Sequence, residues 1–309
     1  SSCPDTLLDG NVIAFNRRGV WAASGALTMT NCLVRGNSPG GGVVMDYSVQ
    51  GRILNCTVYG NGGGPDVYPE PAGIFCGSSS PVTVANSIVW ANYPSQIGGY
   101  TTASVSYCNI QGGIAVPPPV GGRGGAIAGG ASAGEGNIDA PPMLTPDGHL
   151  RLGSPCIRAG KALADLYSNH DVDGEIRSGR HGVDIGLDQY NDADGDGLPD
   201  WWELAYFNDR TAAAPDADPD GDGYTNITEY EVYSSAPTVP AAAFYVNAEQ
   251  PDDSGDGRSW ETAKKTIQAA IDLSDHSDRV YVAPGLYPEN VTTGGRLILL
   301  SGLDAHDPD

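Results

Sequence analysis

Two matching stretches concentrate the residues most able to do chemistry: "DADGDGLPDWWE" from Asp192 to Glu203, and "DPDGDGYTNITE" from Asp218 to Glu229. Each satisfies the template D-x-[DN]-x-[DN]-G-x5-E in full. In the first, Asp192, Asp194 and Asp196 stand at positions 1, 3 and 5, and Gly197 allows a sharp turn. Leu198 offers its carbonyl, Asp200 fills position 9, and Glu203 closes the loop as a bidentate carboxylate. The second loop repeats the set with Asp218, Asp220, Asp222, Gly223, the Tyr224 carbonyl, Asn226 and Glu229. Carboxylates packed this closely repel one another unless a cation sits among them. Ca²⁺ takes six to eight oxygens at roughly 2.3–2.6 Å in flexible geometry, and this spacing wraps them around one ion. The expectation is two Ca²⁺ ions, one per loop.

Such loops need elements to hold them. Short helices are expected to leave each loop, "PDWWELAYF" (Pro199 to Phe207) and "NITEYEVY" (Asn226 to Tyr233), the first with Pro where a missing N–H is harmless. "LDQYN" and "AAAPDA" ahead of the loops are poor helix formers, so neither loop has an incoming helix. This departs from paired helix-loop-helix sensors and resembles the Ca²⁺ repeats of dockerin and thrombospondin type 3 modules. The resemblance implies a structural clip rather than a sensor that opens. Trp201 and Trp202 suit either the small core of such a module or a platform for stacking sugars.

The first hundred residues hide a repeat. "NVIAFN", "NCLVRGN", "NCTVYGN" and "NSIVWAN" end at Asn16, Asn37, Asn61 and Asn92, and a weaker "YCNIQGG" ends at Gly113, giving spacings of 21, 24, 31 and 21. Each is a short alternating run closed by Asn or Gly, with a second run such as "GVVM" or "GIFC" between units. No helical period occurs before residue 115. Short strands at this spacing suit a parallel β-helix, in which each coil covers its neighbour and equivalent Asn residues stack as amide ladders at the turns. Cys32, Cys56 and Cys108 share one coil position, with Ser87 between them. They form either a redox or metal column or a ladder of small inward side chains. The Gly, Ala and Pro stretch from Gly112 to Gly136 reads as a long loop.

Further on, "GNIDAPPML", "HLRLGSPCIRAG" and "DVDGEIR" followed by "VDIGLDQY" resemble the final coils and closing segment of secreted bacterial right-handed parallel β-helix proteins. These are similar to pectate-lyase-like folds and to the surface proteins of choice-of-anchor or polymorphic outer-membrane type. After "SSAPTVPAAA", the runs "YVNA", "SWETAKKTIQAAID" and "RVYVAPGLYPENV" resemble the N-terminal cap and first coils of the same class, with a helix from Ser259 to Ser274 sealing the core. The expected fold is therefore all-β: right-handed parallel β-helix segments joined by a small EF-hand-like calcium module. Coils and closing segment occupy 1–190, the module 191–233, a linker 234–243, and a cap with first coils 244–309. This order, last coils before first coils, has two explanations. The chain is a piece of a tandem protein, or a protomer whose C-terminal coils stack on the open N-terminal end of the next copy and build a filament.

Composition narrows the function. Thirty-eight acidic residues against 16 Lys and Arg give a net charge of −22, which disfavours nucleic acid and anionic lipid as partners. No apolar run is long enough for a membrane span, and "SSCPDTLLDGN" lacks the features of a signal peptide, so a mature or excised segment is expected. None of the six Cys forms a CxxC pair. His149, His170, His181, His276 and His306 stand in unrelated contexts, so no His-based metal centre is expected, and Asp46 with Asp66 is the best carboxylate pair on offer for glycoside hydrolysis, against a simpler role in solvated loops. Of the sequons at Asn55, Asn226 and Asn290, the last suits glycosylation best. The expectation is an extracellular, calcium-stabilised structural protein without catalysis of its own, its partner a second copy. The alternative is a non-catalytic or terminal part of a polysaccharide lyase or hydrolase, or a carbohydrate-binding surface protein.

Overall fold

The computed structural model describes residues 5–62, 73–101, 103–113, 131–163, 169–177, 182–275, 277–293 and 298–302. The chain divides into two compact units, one of residues 1–144 and 148–191 and the other of 145–147 and 192–309.

In the first unit three parallel sheets share the coils. One contains β1 (Thr6–Asp9), β4 (Gly25–Thr30), β7 (Val49–Leu54), β10 (Val82–Ala85), β13 (Ala103–Ser106) and β15 (Ala131–Ala133), in that spatial order. The second contains β2 (Val12–Ala14), β5 (Leu33–Arg35), β8 (Thr57–Tyr59), β11 (Ile88–Trp90) and β14 (Asn109–Ile110). The third contains β3 (Val20–Ala22), β6 (Val43–Met45), β9 (Ile74–Cys76) and β12 (Ile97–Gly99). Three strands therefore make one coil, and every neighbouring pair is parallel, which defines a parallel β-helix. Leu27, Met29, Val34, Val43, Met45, Val49, Ile53 and Val58 fill its interior at 0–2 % exposure. Each such side chain contributes roughly 1.5–3 kcal/mol relative to staying in water.

The turns explain the Asn-rich repeat. Between the first and second sheets Asn31, Asn55, Asn86 and Tyr107 take φ of 47–51°, a left-handed conformation that Asn tolerates well. The next residue is small and points inward. Cys32 Sγ donates to the Thr30 carbonyl at 3.1 Å, Cys56 Sγ to Leu54 at 3.2 Å, Ser87 Oγ to Ala85 at 2.8 Å and Cys108 Sγ to Ser106 at 3.2 Å. The Cys column is thus a ladder of turn-closing donors. Burial pushes the Cys76 and Cys108 thiols up to about 12, whereas the hydrogen bond with Cys56 lowers Cys32. Between the second and third sheets a second column stacks, Asn37 Nδ2 donating to Asn61 Oδ1 and Asn61 Nδ2 to Asn92 Oδ1, both at 2.9 Å.

Residues beyond the coils return over the first column. Asn31 Nδ2 donates to the His170 carbonyl at 2.9 Å and Asn86 Nδ2 to that of Lys161 at 2.6 Å, while in β14 of the second sheet Asn109 Nδ2 donates to Ala140 at 2.8 Å. Ile88, Leu150, Cys156, Ile185 and Tyr190 form the apolar cluster beneath this closing segment.

In the second unit, β16 (Ala243–Val246), β17 (Arg279–Val282) and β18 (Leu299–Gly302) form a parallel sheet covered by α3 (Ile267–Leu273). Phe244, Val246, Ala270, Ile271 and Val280 are its core. The helix is shorter than the expected span from Ser259. Asp253 Oδ1 accepts the N–H groups of Lys265 and Thr266 at 2.7 and 2.9 Å, and Lys264 pairs with Tyr245 through its own N–H. Thr266 is then the N-cap, accepting from Ala269 N–H at 3.3 Å, while Trp260 packs on Tyr245 outside the helix.

Candidate metal centres

The two acidic loops fold alike. Asp192 Oδ1 and Oδ2 accept from Gly195 and Gly197 N–H at 2.6 and 3.0 Å, and Asp218 does the same with Gly221 and Gly223 at 2.8 and 3.0 Å. Asp196 and Asp222 turn back on the N–H of Leu198 and Tyr224 at 2.9 and 2.8 Å. Gly195 and Gly221 both lie at φ 77°, so position 4 needs glycine as much as position 6. The reading from sequence singled out only the latter. Carboxylate oxygens of Asp192, Asp194 and Asp196 gather within 4.8 Å of one another, and so do those of Asp218, Asp220 and Asp222.

Helix α1 (Asp200–Phe207) leaves the first loop, and α2 (Asn226–Thr228), continued by a π turn over Glu229–Tyr233, leaves the second. They place the closing Glu of each loop in the interior. Glu203 is fully buried: Oε1 accepts from Ala213 N–H at 3.1 Å, and Oε2 has no hydrogen-bond partner. Glu229 is fully buried as well, Oε1 accepting from Ser235 Oγ at 3.0 Å and Oε2 without a partner. Asp220 Oδ2 and Asn226 Oδ1 are in the same condition. A buried carboxylate oxygen with nothing to accept is costly, and a cation in the loop would satisfy it. Burial pushes Glu203 and Glu229 up to about 7, helped by the neighbouring aspartates of each loop. Asp196 and Asp220 are raised for the same reason. Asp200 Oδ1 accepts from Ala193 N–H at 2.7 Å, bracing its loop.

The loops share one small core. Trp202, 2 % exposed, packs on Tyr206, Phe207 and Tyr230 with ring centroids 5.3–6.1 Å apart, joined by Leu198, Ala213 and Ile227. Trp201, half-buried, lies 6.2 Å from Tyr230. The second loop is also tied to the sheet that follows it. Arg279 of β17 donates through Nη2 to the Asp222 carbonyl at 2.9 Å and lies 5.3 Å over the Tyr224 ring, while Ala241 N–H donates to Asp222 Oδ2 at 2.8 Å. Sequence reasoning missed Arg279, since no local motif marks a residue this far from the loop.

The remaining candidates are placed as follows. Asp46, half-buried, accepts from Tyr47 N–H at 3.2 Å, and Asp66 lies outside the described residues, as do Cys3, His181, His276 and His306. Asn55 and Asn226 are buried at 0 and 1 % exposure, whereas Asn290 is exposed. His149, expected in an unrelated context, stands 3.0 Å from Asp173. No described helix is long and apolar enough to cross a membrane.

Stacked parallel coils with internal Asn and Cys ladders define the chain as a parallel β-helix protein. Residues 1–132 match the family model of the right handed beta helix region, and to that extent the chain is similar to that family. Searches of curated proteins and of solved structures found no match.

Proposed function

We propose that the chain is a calcium-stabilised structural segment of an extracellular surface protein. Two Ca²⁺ ions would be held by Asp192, Asp194, Asp196, the Leu198 carbonyl, Asp200 and Glu203, and by Asp218, Asp220, Asp222, the Tyr224 carbonyl, Asn226 and Glu229. The observation that carries this reading is the pair of buried closing glutamates, each with one oxygen that no protein group satisfies. The donor set is all oxygen, as Ca²⁺ requires. Through Arg279 and Ala241 the second loop would transmit the ion's rigidity to the β16–β18 sheet.

For the partner, we favour a second copy of the chain. In a β-solenoid the strand edges of one coil are covered by the next coil. A coil donated by the next copy would make a heterologous contact, and such contacts propagate into filaments. Negative-stain micrographs of the purified chain test this: filaments in Ca²⁺ that lose order in chelator are expected, and single particles in both conditions would overturn the assembly.

A second reading rests on exposed aromatic residues of the coils. Trp21, Tyr47, Tyr93 and Tyr100 are 53–69 % exposed, and such rings can stack on sugars. Retardation of the chain in gels containing an acidic or neutral polysaccharide, with loss of retardation in Trp21→Ala, would favour a carbohydrate-binding role.

A further inference from the structure

The closing segment of the first unit holds a cluster of carboxylates that behave differently from one another. Asp171 and Asp184 are spent on the main chain. Asp171 Oδ1 accepts from the N–H groups of Asp173 and Glu175 at 3.0 and 2.8 Å, and Oδ2 from Gln189 at 2.8 Å. Asp184 Oδ1 and Oδ2 accept from Arg158 and Tyr190 N–H at 2.6 and 2.7 Å. Asp188 is only half used. Its Oδ2 accepts from Leu150 N–H at 2.8 Å, but Oδ1 has no partner, although the residue is 1 % exposed. The buried guanidinium nearby does not answer it. Arg177 donates Nη1 and Nη2 to the carbonyls of Asp184, Asp188 and Gly186.

Two groupings share Asp188, an all-carboxylate one with Asp171 and Glu175 and one with His149 and Asp173 that brings a nitrogen. His149 Nε2 and Asp173 Oδ2 are 3.0 Å apart, and a donor atom from each lies within 4.8 Å of a carboxylate oxygen of Asp188. That contact is a hydrogen bond, and two groups so spaced also suit adjacent ligands on one small ion with bonds near 2.0–2.2 Å. His149 is 8 % exposed and the Asp173 side chain 17 % exposed, so the cluster is shielded yet open on the Asp173 side.

We propose that His149, Asp173 and Asp188 form a third cation site, with one nitrogen and two carboxylate ligands, which takes a borderline divalent cation of the Zn²⁺ type. Imidazole favours such an ion over Ca²⁺, which the two all-oxygen loops suit instead. Three protein ligands leave a fourth position for water on the Asp173 side. The site joins three parts of the closing segment: the turn before Leu150, the Asp171–Glu175 turn, and the irregular stretch at Asp188. A cation there fastens the segment that covers the Asn column of the coils. It also answers the buried oxygen of Asp188, whose carboxyl burial otherwise pushes up to about 7.

The test uses the whole chain equilibrated with excess Ca²⁺ and a slight excess of Zn²⁺, desalted, and read by elemental mass spectrometry. One zinc per chain is expected in addition to calcium. Asp188→Asn and His149→Ala should lose the zinc and keep the calcium. Where either misfolds, Asp173→Asn decides, because that side chain reaches solvent and its loss leaves the packing intact. Co²⁺ in place of Zn²⁺ should give visible absorption bands that Asp173→Asn abolishes. Absence of zinc, zinc retained in Asp173→Asn, or a third calcium in its place would each overturn the assignment. Calcium counted in the same samples separates this outcome from failure of the loop sites.

Discussion

Glu203 and Glu229 bear the electrostatic burden of the second unit, since each is buried among the aspartates of its own loop. Glu203→Gln and Glu229→Gln keep shape and hydrogen-bonding capacity but remove the charge. Each is expected to weaken calcium at its own loop by more than the 10–100-fold that losing an outer partner typically costs, with the other loop retained. Isothermal titration is expected to show two strong sites in the parent and one in each variant. The pH dependence follows from the same residues. Their folded carboxyls titrate near 7, above the ordinary value of 4.5. Between these values the folded state holds protons that the unfolded state has lost, so metal-free stability falls as pH rises through that window. Thermal melts in chelator should therefore show the module more stable at pH 5 than at pH 7.5. Added Ca²⁺ should remove the penalty at pH 7.5 and release protons as it binds.

Among the elements, the Asn ladder is the device on which the coils depend. Asn61 Oδ1 accepts from Asn37 N–H and Nδ2, and Asn61 Nδ2 donates to the Val34 carbonyl and to Asn92. Asn61→Ala leaves several of these groups buried and unpaired, at about 1–3 kcal/mol each, and should lower the denaturant midpoint without changing the slope. Gly42 lies against this ladder. A Cβ there would stand 2.5 Å from the Gly73 carbonyl and 2.9 Å from Asn61 Nδ2, so Gly42→Ala is also expected to destabilise the coils. Arg279→Ala tests the link between the second loop and β17. It should weaken calcium at the second loop while leaving the first unchanged, a difference that titration of the Glu203→Gln background isolates.

Much at this scale was legible in the sequence, because the turns are local. "NC", "NC" and "NS" mark a left-handed Asn followed by a small turn-closing donor, and "GN", "GN" and "AN" mark the second corner of the coil. The matching fold of the two acidic loops is equally local. What escaped was long-range. Asn86 meets Lys161 across 75 residues, and Asp188 meets Leu150 across 38, contacts that no motif spacing encodes. The start of α3 escaped for a similar reason: Ser259 is a sound N-cap by type, but Asp253 takes the N–H groups of Lys265 and Thr266 first.

For the whole molecule, two parallel β architectures and a pair of acidic loops are the features on which the proposed structural role rests. The coils bury ladders of repeated contacts, Asn on Asn and strand on strand, which suits a rigid rod-like role. A net charge of −22 repels other anionic surfaces and makes divalent cations natural partners. Filament formation should accordingly depend on calcium more steeply than on monovalent salt. The central claim, that the two loops bind calcium and order the second unit, is tested most directly by native mass spectrometry of the intact chain across a calcium titration. Two ions bound per chain, falling to one in Glu203→Gln or Glu229→Gln and to none in the double variant, is the predicted result. A parent chain that takes up no calcium, or variants that take up as much as the parent, would contradict it.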